Sequence, residues 1–264
     1  MNGVLAEKGL RMQLWTPEHI KTLIPTLIVM LVLSVLLRLW LKDKPLHVRM
    51  IPLQVVAIIL VLLEIGKQIV SASRGYDLYH IPLHFCSLVL FSLPVIAFYR
   101  GKHRDAVASV AVGFTSAVFV LTSIYPALIY SAWDIQNYFS SFFAFHTVTF
   151  HNLAMFAFML MVALNVYQPK KGDWRYPVFL IGMYCVIAGV IAHLIATNFN
   201  NLYRCNVAPL ESVRQQICEA IGYVPTQIIY VAIVTCLDMS FTLGAYHFYR
   251  LCHRLVCGKA KKDA

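Results

Sequence analysis

Two histidines and a cysteine stand in the stretch YHIPLHFC, residues 79–86, and two more histidines in FFAFHTVTFH, residues 142–151. A thiol and an imidazole are the minimum equipment for acyl transfer: the thiolate attacks a carbonyl, and the imidazole takes and returns the proton. Cys86 is the candidate nucleophile, although a buried cysteine is more often an inert small hydrophobe. His84, two residues away, points to the opposite side of a helix, so the base must come from another element. His146 is the candidate. His146 and His151 are five apart, about 140° around a helix, so both can line a wide cavity but only one can face a narrow one squarely. The histidines also suggest a second chemistry. His80 and His84 have the spacing that offers two imidazoles to a metal from one helix face, with His146, His151 and His193 to complete a site. Pro82 and the absence of a nearby acidic ligand weigh against it, and neither a metal site nor a cofactor is assigned.

These groups need elements to hold them. The chain has 264 residues, of which 59% are hydrophobic and 13% charged, with a mean hydropathy of +0.69. A soluble domain carries about a quarter charged residues. The shortfall, with repeated apolar runs of membrane length, predicts an all-α, polytopic membrane bundle forming one domain over 1–264, without linker or repeat. Seven transmembrane helices are expected, at about 22–41, 50–71, 79–99, 105–131, 138–166, 176–196 and 222–249. Fifteen of the 22 Lys and Arg residues then fall on one side, Arg38, Arg49, Arg104, Lys259, Lys261 and Lys262 among them. Seven fall on the other, including Lys8, Arg11 and Lys67. The positive-inside rule puts the N-terminus outside and the C-terminus in the cytoplasm, and a six-helix count would break the alternation. The net charge of +10 therefore marks the cytoplasmic side and does not point to nucleic acid. The first twenty residues are polar and do not read as a secretory leader. The seven cysteines include no CxxC pair. Cys205 and Cys218 share a polar loop in which a disulfide would be compatible.

With the direction set, polar residues acquire depths. Glu64, Lys67 and Gln68 lie in the outer half, as do His80, His84, Cys86, Thr122, Ser123, Tyr125, His146, His151 and His193. Asn198, Asn200 and Asn201 follow just beyond, Thr226 and Gln227 open the last helix, and Asp238 lies deeper. A lone polar group in hydrocarbon costs a few kcal/mol. So many at one depth on six helices predict one shared, outward-facing polar cavity, against the alternative of separate interhelical hydrogen bonds worth about 1 kcal/mol each. His151, Glu64, Tyr125, His193 and Asn201 are its expected supporting residues. Lys67 is expected to pair with Glu64 at i, i+3. Pro82 predicts the start of the third helix. Its first turns would offer Cys86 unpaired N–H groups that favour a thiolate and an oxyanion. The segment PLESVRQQICEAIG, residues 209–222, predicts a short interfacial helix over the cavity mouth. The basic tail is read as a solvated end near anionic headgroups.

The elements WTPEHIKTLIP, YHIPLHFCSLVLF, LTSIYPAL, FFAFHTV, NFNNLY and IGYVP together resemble the bacterial YwaF family of integral membrane proteins, over about residues 15–250. That family is grouped with the eukaryotic transmembrane-protein-164 family, whose members are linked to acyl transfer onto lysophospholipids through a cysteine and a histidine. More distantly it is akin to membrane hydrolases of lipid esters. The resemblance implies Cys86, which ends P-L-H-x-C, as nucleophile, and His146, which ends F-F-x-x-H, as base. It implies His84 as an orienting or substrate-binding group, membrane lipids as partners with a lipid acyl donor, and the bacterial plasma membrane as location. Two other classes stay open: a histidine-lined transporter or metal- or small-molecule-binding protein, and a non-catalytic accessory subunit.

Overall fold

The computed structural model describes residues 14–258. Lys8, Arg11, Lys259, Lys261 and Lys262, and most of the basic tail, lie outside those residues. The helices are α1 (Pro17–Leu41), α2 (Leu46–Arg49), α3 (Ile51–Ser73), α4 (Ser87–Phe98), α5 (Arg104–Ile124), α6 (Pro126–Ile129), α7 (Ala132–Gln136), α8 (Phe142–Ala163), α9 (Arg175–Leu194), α10 (Ala208–Ile221) and α11 (Tyr223–Cys257). A single 3-10 turn covers Leu78–His80, and no strand occurs among the described residues. Six apolar segments are long enough to cross a membrane: α1, α2 with α3, α5, α8, α9 and α11.

Local chemistry explains the boundaries. Thr16 caps α1 with Pro17 in its first turn, and His19 completes the cap. The His19 Nδ1 accepts from the Thr16 hydroxyl at 2.8 Å, while its Nε2–H donates to the Tyr130 carbonyl at 2.8 Å. The helix expected over 105–131 instead stops at Ile124, because Tyr125 precedes a proline and is pushed out of the helical region. The last helix runs on to Cys257, and its 35 residues reach about 52 Å, well beyond a hydrocarbon core of about 30 Å.

The main correction concerns 79–99. Pro82 does not open a helix. Residues 81–86 are irregular, and regular helix begins only at Ser87. The twelve residues of α4 rise about 18 Å, too short to span alone. Irregular backbone at membrane depth is tolerated where it is buried in protein or lines a cavity, and His84, Phe85 and Cys86 line one. Both ends of the segment are tied to α3: Gln68 Nε2 donates to the His80 carbonyl at 2.8 Å and Gln54 Nε2 to the Ala97 carbonyl at 3.0 Å. Those glutamines are about 21 Å apart along the helix, so residues 80–97 run antiparallel to α3 over most of its length.

At the opposite end from that loop, arginines gather on the C-terminus of α8. Arg38 donates to the Ala163 carbonyl at 2.6 Å, Arg49 to Leu164 at 2.7 Å and Asn165 at 3.1 Å, and Arg104 to Val166 at 3.1 Å. Arg38 also reaches the Val256 carbonyl at 2.9 Å, near the end of α11. The last carbonyls of a helix have no partner within it, and cations are favourable there. Cations assigned to one side by hydropathy are thus in contact with one spot. Arg49→Ala is expected to lower the unfolding midpoint by roughly 3–10 °C, since charged hydrogen bonds are worth about 1.5–3 kcal/mol. A thermal-shift assay in detergent reads it, and Arg49→Lys should restore only part because it lacks the planar fork.

Candidate functional site

On α3, Glu64 and Lys67 are both buried. Glu64 Oε1 accepts from Lys67 Nζ at 2.7 Å and from Gln68 Nε2 at 2.6 Å, the i, i+3 and i, i+4 neighbours on one helix face. The other oxygen, Oε2, faces His146 Nε2 of α8 at 3.2 Å. An ionised carboxylate only accepts, so the network assigns the proton to Nε2 and leaves His146 Nδ1 as the acceptor. Gly66 permits this approach of the two helices: a Cβ there would stand 2.9 Å from Phe142 Cζ. One helical turn further along α8 from Thr147, His151 Nδ1 donates to the Thr147 carbonyl at 2.7 Å, which leaves its Nε2 free.

The irregular segment supplies the thiol. Cys86 is the N-cap residue of α4. His84 Nε2 donates to the Tyr79 carbonyl at 2.9 Å, and its ring meets Phe199 edge-on at 5.4 Å. The expected opposition of His84 and Cys86 across a helix does not occur, because neither residue is helical; both line one cavity. The first-turn donors expected for Cys86 are also already used. The N–H groups of Ser87, Leu88 and Val89 donate to the carbonyls of His84, Phe85 and Cys86 at 2.9, 3.1 and 3.1 Å. The N–H groups without an acceptor among the described residues are instead those of His84, Phe85 and Cys86 themselves.

That cavity measures about 290 Å³. It collects Cys86, His146, His84, His151, Glu64 and Asn201, six of the eight residues expected at the site, together with Lys67 and His80. Val118 and Leu121 of α5 and Leu128 and Ile129 of α6 form its apolar side. No hydrogen bond joins the Cys86 thiol to either imidazole among the described residues. Tyr125 and His193 lie elsewhere. Tyr125 sits in the break between α5 and α6. His193 Nδ1 donates to the Gly189 carbonyl at 2.7 Å and its Nε2 accepts from Gln227 at 2.8 Å, so it ties α9 to α11. The cavity is therefore not shared by six helices: Thr226 and Gln227 of α11 make structural bonds outside it. Nor do the histidines converge on a cation. His80 bonds Ser71 at 2.7 Å and stacks on Phe143 at 4.4 Å, and no three His, Cys, Asp or Glu side chains among the described residues are grouped to hold a metal.

Four polar wall residues escaped the sequence reading, Tyr79, Ser87, Thr147 and Asn206. Asn198, Asn200, Asn201 and Asn206 form one folded loop in which Asn198 Nδ2 donates to Asn206 Oδ1 at 3.0 Å and the Asn206 N–H to Asn201 Oδ1 at 3.2 Å. Asn200 and Asn201 adopt left-handed φ values of 49° and 59°, which asparagine tolerates better than most residues. The density of asparagines was the available signal. No periodicity could have shown which ones face inward.

The interfacial segment is helical, as its pattern predicts, and forms α10. Cys205 and Cys218 are free thiols. Arg214 grips Glu211 through two bonds of 2.8 and 2.5 Å, and Glu211 also accepts the Cys205 N–H at 2.9 Å. The guanidinium holds the Glu211 carboxyl down from its ordinary 4.5 to about 2. A depressed pKa means that the stabilisation is complete above about 4.5 and is lost as pH falls toward 2. A spin label at the exposed Gln216 should therefore keep its mobility from neutral pH down through the ordinary carboxylate range and loosen only below it. Arg214→Gln should move that loosening up into the ordinary range.

No curated protein and no solved structure matches the chain. The model of the TMEM164 family matches the chain over residues 14–254. That span takes in every residue of the cavity. With its six long apolar helices, this chain is a multi-pass membrane protein and belongs to the TMEM164 family.

Proposed function

We propose that this protein is a lipid acyltransferase or lipid-ester hydrolase with Cys86 as nucleophile and His146 as general base. The supporting observation is one cavity whose wall carries a thiol, an imidazole and that imidazole's carboxylate partner. Glu64 orients His146 through Nε2–H and would stabilise the imidazolium, the role of the third member of a triad. In the first half-reaction His146 takes the Cys86 proton and the thiolate attacks the ester carbonyl of a donor lipid. A carbon–sulfur bond forms, the carbon–oxygen bond breaks, and the leaving alkoxide takes the proton from the imidazolium. In the second, His146 deprotonates the hydroxyl of a lysophospholipid, which attacks the thioester and releases the thiol. With water in place of that hydroxyl the same sequence is hydrolysis. The N–H groups of His84, Phe85 and Cys86, which have no backbone acceptor among the described residues, would serve as donors to the developing oxyanion. His84, His151 and Asn201 contact substrate.

The same reading gives the chain seven membrane crossings, with the 80–97 segment as the third. It puts the N-terminus and the cavity outside and the arginine cluster on α8 in the cytoplasm. The YwaF-like motifs are what favours a bacterial plasma membrane. Intact-protein mass spectrometry after incubation in vesicles of an isotope-labelled phospholipid tests the reading. An acyl mass added at Cys86, removed by hydroxylamine and absent from Cys86→Ala, is expected. Lipid turnover that survives Cys86→Ala overturns Cys86 as nucleophile, and the absence of both adduct and turnover in the unaltered protein overturns the reading in favour of a binding or transport role for the cavity.

A further inference from the structure

A second cavity, of about 380 Å³, lies between α10 and α11. Its walls are two apolar stripes, Leu210, Val213 and Ile217 from α10 and Ile229, Ile233 and Leu237 from α11. All six are between 40 and 64% exposed, so no other described part of the chain covers them completely. The inner end is polar. Asn200, Asn201 and Asp238 stand there, and Asn200 and Asn201 also line the cavity that holds Cys86. One turn of backbone therefore separates an apolar slot from the thiol. That turn is pinned from the slot side: Asn200 Nδ2 donates to Asp238 Oδ2 at 2.5 Å, and the Tyr230 hydroxyl donates to the Asn201 carbonyl at 2.6 Å.

The geometry points to this slot as the binding site of a fatty acyl chain, with the Asn200–Asn201 turn receiving its carbonyl end beside Cys86. Continuity argues for a chain: the slot shares the Asn200–Asn201 turn with the cavity that holds Cys86, so a thin unbranched chain with one polar end can lie along the slot and bring that end to the turn. Polarity argues for a chain with a polar head. Burying methylenes here gains little over leaving them in the bilayer, which is equally apolar. Retention must come from the inner end, where asparagine amide donors meet an ester carbonyl acceptor. Asp238 acts here as a positioning residue: it holds Asn200 and touches no reacting atom. The delivery of the carbonyl to Cys86 rests on the acyl-transfer reading; the chain site itself does not.

Photo-crosslinking separates the two. The full chain in nanodiscs of phosphatidylcholine bearing a terminal diazirine on one acyl chain should label Val213, Ile217 and Ile233 roughly threefold or more above Leu39 and Trp40 of α1. Those controls are 63 and 73% exposed. Val213→Trp with Ile233→Trp should abolish the excess. Labelling no higher than on α1, or unchanged by the tryptophans, overturns the chain site. With the slot filled, acylation of Cys86 from a hexadecanoyl donor should fall about tenfold, and from a butanoyl donor by less than about twofold. Equal falls overturn the connection to Cys86. If Cys86 takes an acyl group from neither donor, the acyl-transfer reading fails, and the labelling still decides the slot.

Discussion

Cys86→Ala is expected to abolish the proposed acyl-enzyme adduct and to lower lipid acyl transfer by on the order of 10³-fold or more, with the fold retained. Cys86 is partly buried against the hydrophobic core, and the substitution removes a single sulfur atom from that contact, so the loss of packing is small. His146→Ala should cost a comparable factor, and the double variant should be no worse than either alone, because a nucleophile and its base act as one unit. His151→Ala is the informative comparison. Its free Nε2 makes it a geometric alternative as base, and its Nδ1–H is held by the Thr147 carbonyl and not by a carboxylate. A stopped His151→Ala beside an active His146→Ala would transfer the role of base. Vesicle assays of acyl exchange, paired with circular dichroism of each variant, read both quantities.

Glu64→Gln is expected to lower stability by about 3–5 kcal/mol, a fall in unfolding midpoint of roughly 6–20 °C. The cause is what the substitution leaves behind. Lys67 is buried, and its ammonium sits 2.7 Å from the Glu64 carboxylate; without that carboxylate it becomes an uncompensated buried charge. Adding Lys67→Met should therefore recover most of the lost stability, since replacing both ions is far less costly than breaking the pair. It should not recover activity. His146 Nε2 would still lack the carboxylate that sets its tautomer, a defect worth on the order of 10²–10⁴-fold. Thermal unfolding and acyl exchange measured on the single and double variants separate the two effects. A double variant with wild-type turnover would show that Glu64 serves only as the counter-ion of Lys67.

The sequence by itself was enough for the class of molecule and for the grouping of six of the eight expected residues around one cavity. Apolar runs of membrane length need no tertiary information, because each span satisfies its own backbone hydrogen bonds, and six of the expected segments are long apolar helices. The ion pair of Glu64 with Lys67 was equally legible, since i, i+3 neighbours on a helix meet whatever surrounds them. Two things were not. The backbone of residues 81–86 is irregular, and its second half lines a cavity; irregular backbone is tolerated beside such a cavity, which belongs to the assembled bundle and not to a window of sequence. Pro82 therefore signalled a helix start that does not occur there. Nor could depth alone separate His146 from His193. Both are expected in the outer half, but His146 meets Glu64 while His193 is spent on Gln227 and Gly189. Which partner an intramembrane polar group finds depends on which helices touch, and only the packing of α3 against α8 and of α9 against α11 decides that.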